Sequence, residues 1–436
     1  MSKNIAKIRR ILKNFPNKKI LVIGDIMLDH YVYGDVTRIS PEAPIPILKR
    51  TGDEYVPGGA ANVASNLSSL GAKVFVAGIV GNDHAFKMLK ELFLKANINF
   101  ESVLISDNKP TIQKERLVAK YQHIVRLDTE ETSNLSFSEE SKFLKLISKQ
   151  IKNCDGVILS DYAKGCLSHK LIQDIIKLAK RQKIPVLADV KPKNKTFFKG
   201  VDIITPNLKE ALEMTGMKDV YSAGKSLANY YKTDVVVTKS EDGVSVFKKN
   251  GTYLDVPTKS VTVVNVIGAG DTFIAVECLG YASGLSVEEA GFIAAVAGSV
   301  VVQKPGTATI TLEELESALD DDNDIESISV VPKVWGYEKW LENNDKYCCK
   351  LLSLNKGYQC SLHYHKEKDE MFFVTKGHVR LESDGKIIHM KAGNFQRIRP
   401  GTKHRFRGIE DSIIIEVSTY HDEKDSYRIE ESRKAE

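Results

Sequence analysis

Residues 154–190 read CDGVILSDYAKGCLSHKLIQDIIKLAKRQKIPVLADV, and this stretch holds one full period of the pattern that sets the fold. CDGVILSDY and IPVLADV each carry a short apolar run that closes on a polar residue, as a strand buried on both faces does. Between them LSHKLIQDIIKLAKRQ places apolar residues at helical spacing behind a serine suited to cap it. Strand, helix and strand in so short a span form the repeating unit of a parallel sheet. The rhythm extends in both directions, through KKILVIGD (18–25), the helical AANVASNLSSLG (60–71), KVFVAGIVG (73–81), VDIITPN (201–207) and TDVVVTKS (233–240). An α/β sandwich with a mostly parallel sheet follows, and its ligands belong beyond the carboxyl ends of the strands.

Two stretches break the rhythm, 30–56 and 100–128; both read as extended segments with turns, so a small β-sheet is expected to cover the site as a lid. After residue 333 the character changes to short strands between Gly, Asn and Asp turns: CCKLLSLN (348–355), EMFFVTKG (370–377), HVRLES (378–383), KIIHMK (386–391), FQRIRPG (395–401) and SIIIEVST (412–419). Many even strands with turn signals predict a small all-β barrel. The boundaries drawn are 1–318 for the α/β domain, 319–332 for an acidic linker and 333–436 for the barrel. The charged DSYRIEESRKAE (425–436) is expected to be solvated.

Composition narrows the classes. The chain has 436 residues, 42% of them hydrophobic and 27% charged, which suits two or three packed domains and excludes a disordered chain. Lysine plus arginine number 62 against 57 acidic residues, a net +5 without a basic block, so no nucleic-acid partner is implied. No stretch reaches the length of a membrane span. The apolar residues of the first segment, Ile5, Ile8, Ile11 and Leu12, mark a helical face rather than a secretory core. Six cysteines without a CxxC pair read as reduced thiols of a cytoplasmic protein.

The sharpest local signal is VIGAGDTF (266–273), ahead of an apolar helix that runs to Ser283 and stops at Gly284. Gly268, Ala269 and Gly270 are small enough to aim backbone N–H groups at an anion, helped by the helix dipole. Asp271 then stands where a carboxylate could take a proton from a hydroxyl attacking phosphorus. An N-capping aspartate after a glycine turn fits the same letters.

Companion segments turn this pattern into a resemblance. GGAANVASNLSSLGAKV (58–74), TPNLKEALEMTG (205–216) and VTKSEDGVSVF (237–247), with the glycine turn, resemble the ribokinase-like carbohydrate kinases over roughly the first 315 residues. The likeness is nearest to the heptose 7-phosphate kinases of surface-polysaccharide synthesis, through GDIMLDHYVYGDVTRISPEAPIPI (24–47), KERLVAKYQHIVRLD (114–128) and LSDYAKGCL (159–167). It implies a three-layer sandwich with a β lid. It also implies ATP with Mg as phosphate donor and D-glycero-D-manno-heptose 7-phosphate as acceptor, phosphorylated at C1. Asp271 would be the base and the 268–270 amides the anion hole. Asp29, Gly58, Gly59 and Asn62 would meet sugar hydroxyls, and Arg126 and Lys191 the distal phosphate. Asn207 and Glu210 would orient metal-bound phosphates, while Lys239, Ser240 and Gly243 would line the nucleotide site. An ordinary cap and helix residue is the other reading of Asn207 and Glu210, and a surface lysine that of Lys191. Asn265, Val266 and Ile267 replace the usual Asp-Val-Thr, which puts activation by a monovalent cation in question.

A second chemistry lies in the histidines, six of ten falling after residue 333. His363 and His365 share a face if they lie on a strand, and with Glu370 and His404 they supply three imidazoles and a carboxylate. That set suits a divalent transition metal such as Zn, Mn, Fe, Co or Ni. Gly357, His363, His365, Glu370 and Gly377 have the spacing of the first cupin motif, and Gly393, Pro400, Gly401 and His404 that of the second, with Gly408 where Asn is usual. His378, His389 and His421 default to surface or structural roles. The segment 334–382 resembles the cupin domain of type II phosphomannose isomerases, which implies aldose–ketose interconversion of a sugar phosphate, here sedoheptulose 7-phosphate to the heptose phosphate. Lys356, Arg397, Arg399, Lys403 and Arg405 are candidate phosphate contacts. The cupin stands where kinases of this kind carry an adenylyltransferase. A kinase for another sugar joined to a non-catalytic sugar-binding or dimerisation cupin is the alternative. A homodimer through the lid or the cupin is the expected assembly.

Overall fold

The computed structural model describes residues 2–120, 122–258, 261–321 and 328–435. It divides into two compact units, 1–252 with 256–326, and 253–255 with 327–436. Of the stretch expected as a linker, the first residues end the helix Leu312–Asp321 and the last form the strand Ile328–Lys333, while 322–327 lie outside the described residues.

In the first unit the six expected strands form one parallel array in the order Lys73–Ala77, Lys19–Gly24, Gly156–Ser160, Val186–Asp189, Ile203–Ile204, Asp234–Thr238. Val244–Phe247 then adds antiparallel. Leu21, Val22, Ile158, Leu159, Leu187, Ile203 and Val236 are wholly buried, which accounts for the unbroken apolar runs. The helix His169–Arg181 returns the chain between two of these strands, started by Ser168, whose side chain accepts from the Leu171 amide at 3.1 Å. Sheet order and chain order part where Lys19–Gly24 lies between Lys73–Ala77 and Gly156–Ser160, the kind of junction at which open α/β sheets bind ligands. The α/β sandwich with a mostly parallel sheet expected from the alternation is the fold observed.

The lid is a four-stranded sheet, Pro46–Gly59, Ile26–Ile39, Ile112–Ala119, Gln122–Thr129 in that order. The expected segment 100–128 contributes only from residue 112 onward. Leu104–Ser106 instead pairs parallel with Ile79–Gly81 in a separate two-stranded sheet, drawn there by the short connection from the helix His84–Lys95.

The second unit is all β. One sheet carries Phe395–Ile398, Glu370–Lys376, Ser412–Thr419, Tyr347–Leu354 and Gly336–Asn343; the other carries Lys386–Lys391, His378–Ser383, His404–Gly408 and several short strands. Trp335, Leu352, Phe372, Val379, Phe406 and Ile414 pack between them. The charged tail is largely exposed, as expected, and is also paired into the barrel: Tyr427–Glu430 pairs with Leu362–Tyr364, and Arg433–Lys434 with Tyr358–Gln359. Its strands lie at sheet edges, where charge is the usual composition, and Arg428 and Glu431 line the barrel cavity. Among the described residues no helix is long and apolar enough to cross a membrane.

Candidate functional site

Five strands of the first unit deliver polar residues to one edge of the sheet: Asp25 after Gly24, Asp161 and Tyr162 after Ser160, Asp189 and Lys191, Asn207, and Thr238. The helix Ala269–Ala282 begins among them behind Gly268, whose φ of 82° places it in the left-handed region. A Cβ on Gly268 would stand 2.8 Å from Asn62 Nδ2, so glycine serves both the turn and the close approach. Asp271, in the first helical turn, is buried. Its Oδ2 accepts from Asn62 Nδ2 at 2.7 Å and its Oδ1 from the Tyr162 hydroxyl at 2.5 Å. Burial pushes its carboxyl up to about 6 despite those two hydrogen bonds, and this is a range useful to a general base. The Ala269 amide donates to the Val266 carbonyl at 3.3 Å.

Asp271, Gly268 and Gly270 line a cavity of about 120 Å³ together with Tyr162, Asp189, Lys191, Asn207 and Glu210. Asn207, Gly270 and Phe273 also line a second hollow of about 270 Å³. That hollow is walled largely by Val244, Val261, Val263, Val266 and Ala295, with Ser240 and Gly243 at its turn, and it suits a flat heteroaromatic base. Lys239 opens that turn. Asn207 and Glu210 cap their helix reciprocally, the Asn207 amide reaching Glu210 Oε2 at 3.0 Å, so the capping reading and the pocket position hold together. Lys191 Nζ donates to Glu210 Oε1 at 2.6 Å and lies 3.6 Å from Asp189. Burial works against its charge, but Asp189 and Glu210 outweigh burial and hold Lys191 above its ordinary value. Asp189 is itself pushed up to about 7 by burial.

The lid brings Asp29 and Gly58 together. A Cβ on Gly58 would stand 2.6 Å from Asp29 Oδ2, and Asp29 is ion-paired with Arg116, which the sequence reading passed over. Gly59, with φ of 57°, ends the lid strand and begins the helix Ala60–Ser69 that carries Asn62. Arg126 faces Arg116 across the lid register but is exposed and paired with Asp128 at 2.8 Å. Tyr162 was also missed, although LSDYAKGCL had been marked as a segment.

In the second unit His363, His365 and His404 offer ligand atoms all within 4.8 Å of one another. His363 lies opposite His404 in register, and Glu370 enters from the other sheet, 3.1 Å from His404 Nε2 and 3.5 Å from His365 Nε2. Each imidazole turns Nδ1 to a backbone carbonyl: His363 to Ser361 at 2.9 Å, His365 to Asp425 at 2.8 Å, His404 to Thr402 at 3.1 Å. That pattern fixes the tautomer and frees Nε2 for a metal. His404 Nε2 and Glu370 Oε2 are buried and face each other at 3.1 Å with no other partner, as two ligand atoms about one cation would. Burial and the neighbouring His404 push His363 down to about 4, so it stays neutral. The residues fit a divalent transition metal.

The barrel cavity, about 340 Å³, continues past the histidines to Lys350, Lys368, Glu416 and His421. Lys368 donates to Glu370 at 2.7 Å and to Glu416 at 2.5 Å. His421, given a surface or structural role by the sequence, is 8% exposed and lines this cavity. His378 and His389 form an exposed pair at 3.0 Å. Of the candidate phosphate contacts only Arg405 lines the cavity, tied to Glu382 and Glu430, whereas Arg397 is exposed and paired with Asp369.

The profile of the pfkB family carbohydrate kinases matches residues 17–315, and that of the cupin domain residues 350–418. The Bifunctional protein HldE of Azorhizobium caulinodans is 39% identical over 309 residues, which span 69% of this chain and 64% of its own length. That of Actinobacillus succinogenes is 39% identical over 410 residues, spanning 93% of this chain and 78% of its own. Among solved structures, an Arabidopsis thaliana ribokinase complexed with ribose and ATP superposes with a TM-score of 0.55 at 22% identity, covering 69% of this chain and 98% of its own. Escherichia coli phosphofructokinase-2 in complex with potassium superposes with a TM-score of 0.58 at 20% identity, covering 70% and 99%. At those identities the superpositions speak for the fold.

Proposed function

Because the chain belongs to the pfkB family of carbohydrate kinases, we propose that it transfers the γ-phosphoryl group of ATP to the C1 hydroxyl of D-glycero-D-manno-heptose 7-phosphate. The observation that carries this reading is Asp271, buried in the small polar cavity next to Gly270, which that cavity shares with the apolar hollow. Asp271 takes the C1 hydroxyl proton as that oxygen bonds to the γ-phosphorus, and the bond to the β–γ bridging oxygen breaks to release ADP. The glycine amides and the helix start stabilise the charge on the transferring group. Lys191 lies beside Asn207 and Glu210, so it serves the transferring group rather than the distal phosphate. That distal phosphate falls to the lid arginines, Arg126 with Arg116. Asn207 and Glu210 would stand nearest a Mg ion, which would supply charge neutralisation of the β- and γ-phosphates; Glu210 is itself held by Lys191 on one oxygen and by the Asn207 amide on the other.

The same reading gives the cupin an aldose–ketose isomerase role, forming the heptose phosphate from sedoheptulose 7-phosphate. His363, His365, Glu370 and His404 would hold a divalent metal, which supplies polarisation of the carbonyl and hydroxyl oxygens. Glu416, buried against Lys368, is the group placed to move a proton between C1 and C2. A second reading, a non-catalytic module for an uncharged sugar, is favoured by the cavity's cations: Lys333, Arg405 and Arg428 are each paired with a carboxylate. A homodimer through the lid has support in the exposed Ile124, Val125 and Leu127 of its outer strand, and sedimentation equilibrium would measure it.

The test is a panel of free and phosphorylated sugars with ATP, run on the whole protein with and without chelator. The heptose 7-phosphate should give the highest kcat/KM. A preference for fructose 6-phosphate or a free hexose would overturn the substrate, and loss of all transfer would overturn the kinase. Incubation with sedoheptulose 7-phosphate and no ATP should yield an aldose by NMR; none would leave the second reading of the cupin.

A further inference from the structure

Tyr162 does two things at once. Its hydroxyl donates to Asp271 Oδ1 at 2.5 Å, and its ring lies 5.4 Å beneath Lys191 Nζ. The loop that carries it is held from both sides. The Asp25 carboxylate accepts from the amides of Tyr162 at 2.9 Å, Lys164 at 3.2 Å and Cys166 at 3.1 Å. Asp161 accepts from the Ala163 amide at 2.9 Å, from Asn194 Nδ2 at 3.0 Å and from the Lys191 amide at 3.4 Å. Ala163 adopts φ of 55°, a left-handed conformation that a non-glycine residue keeps only where its surroundings impose it. A loop this heavily tied presents its one aromatic side chain in a fixed place.

We propose that Tyr162 is a positioning residue for phosphoryl transfer, its hydroxyl setting the Asp271 carboxylate and its ring seating Lys191, so that one side chain aligns the proton acceptor with the cation of the transferring group. The proposal rests on the kinase reading above. A carboxylate has about four lone-pair sites. Tyr162 and Asn62 occupy one on each oxygen, which leaves room for the sugar hydroxyl. The sugar proton passes to Asp271, and the phenol keeps its own. Burial and the neighbouring Asp271 carboxylate hold the phenol well above its ordinary value, so it remains a donor throughout the working range. A donor that stays protonated favours the ionised form of its partner.

Two variants separate the roles of hydroxyl and ring. Tyr162→Phe removes the donor and keeps the ring under Lys191; Tyr162→Leu removes both. Profiles of kcat/KM against pH for both substrates are the measurement. The Phe variant should move the acidic limb up by about one pH unit with KM for ATP unchanged. The Leu variant should show the same move and a further loss in kcat of roughly tenfold. A Phe profile that superimposes on the parent overturns the proposal. So does an equal loss at every pH in both variants, the mark of packing alone. The kinase reading fails separately: Asp271→Asn retaining transfer would sink it, whereas an inactive Asp271→Asn beside an unmoved Tyr162→Phe profile would leave the kinase standing and remove only Tyr162. Thermal melts of both variants within about 1 °C of the parent, below the shift that a 1 kcal/mol change gives a domain of roughly 300 residues, establish that fold is not the variable.

Discussion

Asn62 and Asp271 stand 209 positions apart in the chain and meet through a hydrogen bond of 2.7 Å. One turn along, Thr272 donates to Asn66 at 2.9 Å, so the helices Ala60–Ser69 and Ala269–Ala282 are joined by two buried polar pairs. The contact holds the carboxylate by the oxygen that Tyr162 does not bond, while Asp271 still lines the small polar cavity.

Replacing the carboxylate tests the chemistry directly. Asp271→Asn should lower kcat by at least about a thousandfold while nucleotide affinity, measured by calorimetry, stays within about threefold. In the parent, Asp271 must be ionised to accept a proton, and burial holds it near 6. The rate kcat/KM should therefore fall about tenfold per pH unit below that value and level off above it. A flat profile from pH 5 to 8 would assign the proton to another group.

Gly58 has no spare volume on its Asp29 side. Gly58→Ala should displace the Asp29 carboxylate from Arg116 and raise KM for the sugar about tenfold or more, with KM for ATP little changed. Equal effects on both substrates would mean that the lid had been disturbed as a whole.

The histidine cluster predicts about one divalent metal ion per chain after reconstitution and desalting, by elemental analysis. His404→Ala should lose it, because Glu370 then keeps a buried carboxylate facing only His365 and Lys368. Phosphoryl transfer to added heptose 7-phosphate should be unaffected in that variant.

Asp425 supports the cluster at one remove. Its carbonyl takes His365 Nδ1, and its carboxylate accepts from the amides of Lys366 at 2.9 Å, Glu367 at 3.1 Å and Lys368 at 3.0 Å. Asp425→Ala frees the segment beside His365 and should weaken metal binding roughly tenfold, the lower end of what outer partners of metal ligands contribute. Competition with a chelator of known affinity would measure it, and an unchanged affinity would deny the tail that role.

Glu277 is wholly buried in the helix Ala269–Ala282, both its carboxylate oxygens lacking a partner, and burial drives it well above its ordinary value. A carboxyl raised in the folded state binds its proton more tightly there than in the unfolded chain, so its contribution is best at low pH and is lost as pH rises past about 4. Glu277→Leu should stabilise the first unit by about 1–3 kcal/mol at pH 7.5, and by less at pH 4.5. Urea melts at the two pH values decide it; destabilisation at both would point to an unseen partner for the carboxylate.

Much of this was legible in the letters. Each of the six apolar runs is a strand of the parallel array, because strands covered on both faces have no polar positions to blur them. The lid was seen as extended chain, yet its start was set too early at residue 100, since nothing local separates Leu104–Ser106 from the strands that follow. His363, His365, Glu370 and His404 converge as their spacing implied. Tyr162 and Arg116 escaped notice, and His421 was given a surface or structural role, because their surroundings come from what the fold sets against them, across 109 positions in the case of Tyr162 and Asp271. The tail of the barrel is exposed as its charge implied, but its strand pairing was not legible, because pairing depends on backbone that carries no letter.

The bond between His365 and the Asp425 carbonyl spans 60 positions, and this separation has a meaning in time. At a synthesis rate of about 5–20 residues per second, the histidine pair exists for roughly 3–12 s before the residue that backs it has been made. During that interval His365 lacks the carbonyl that takes its Nδ1, and Leu362–Tyr364 has only the strand His404–Gly408 to pair with. The completion of this cluster, with its outer support in place, is thus a late event in the birth of the polypeptide.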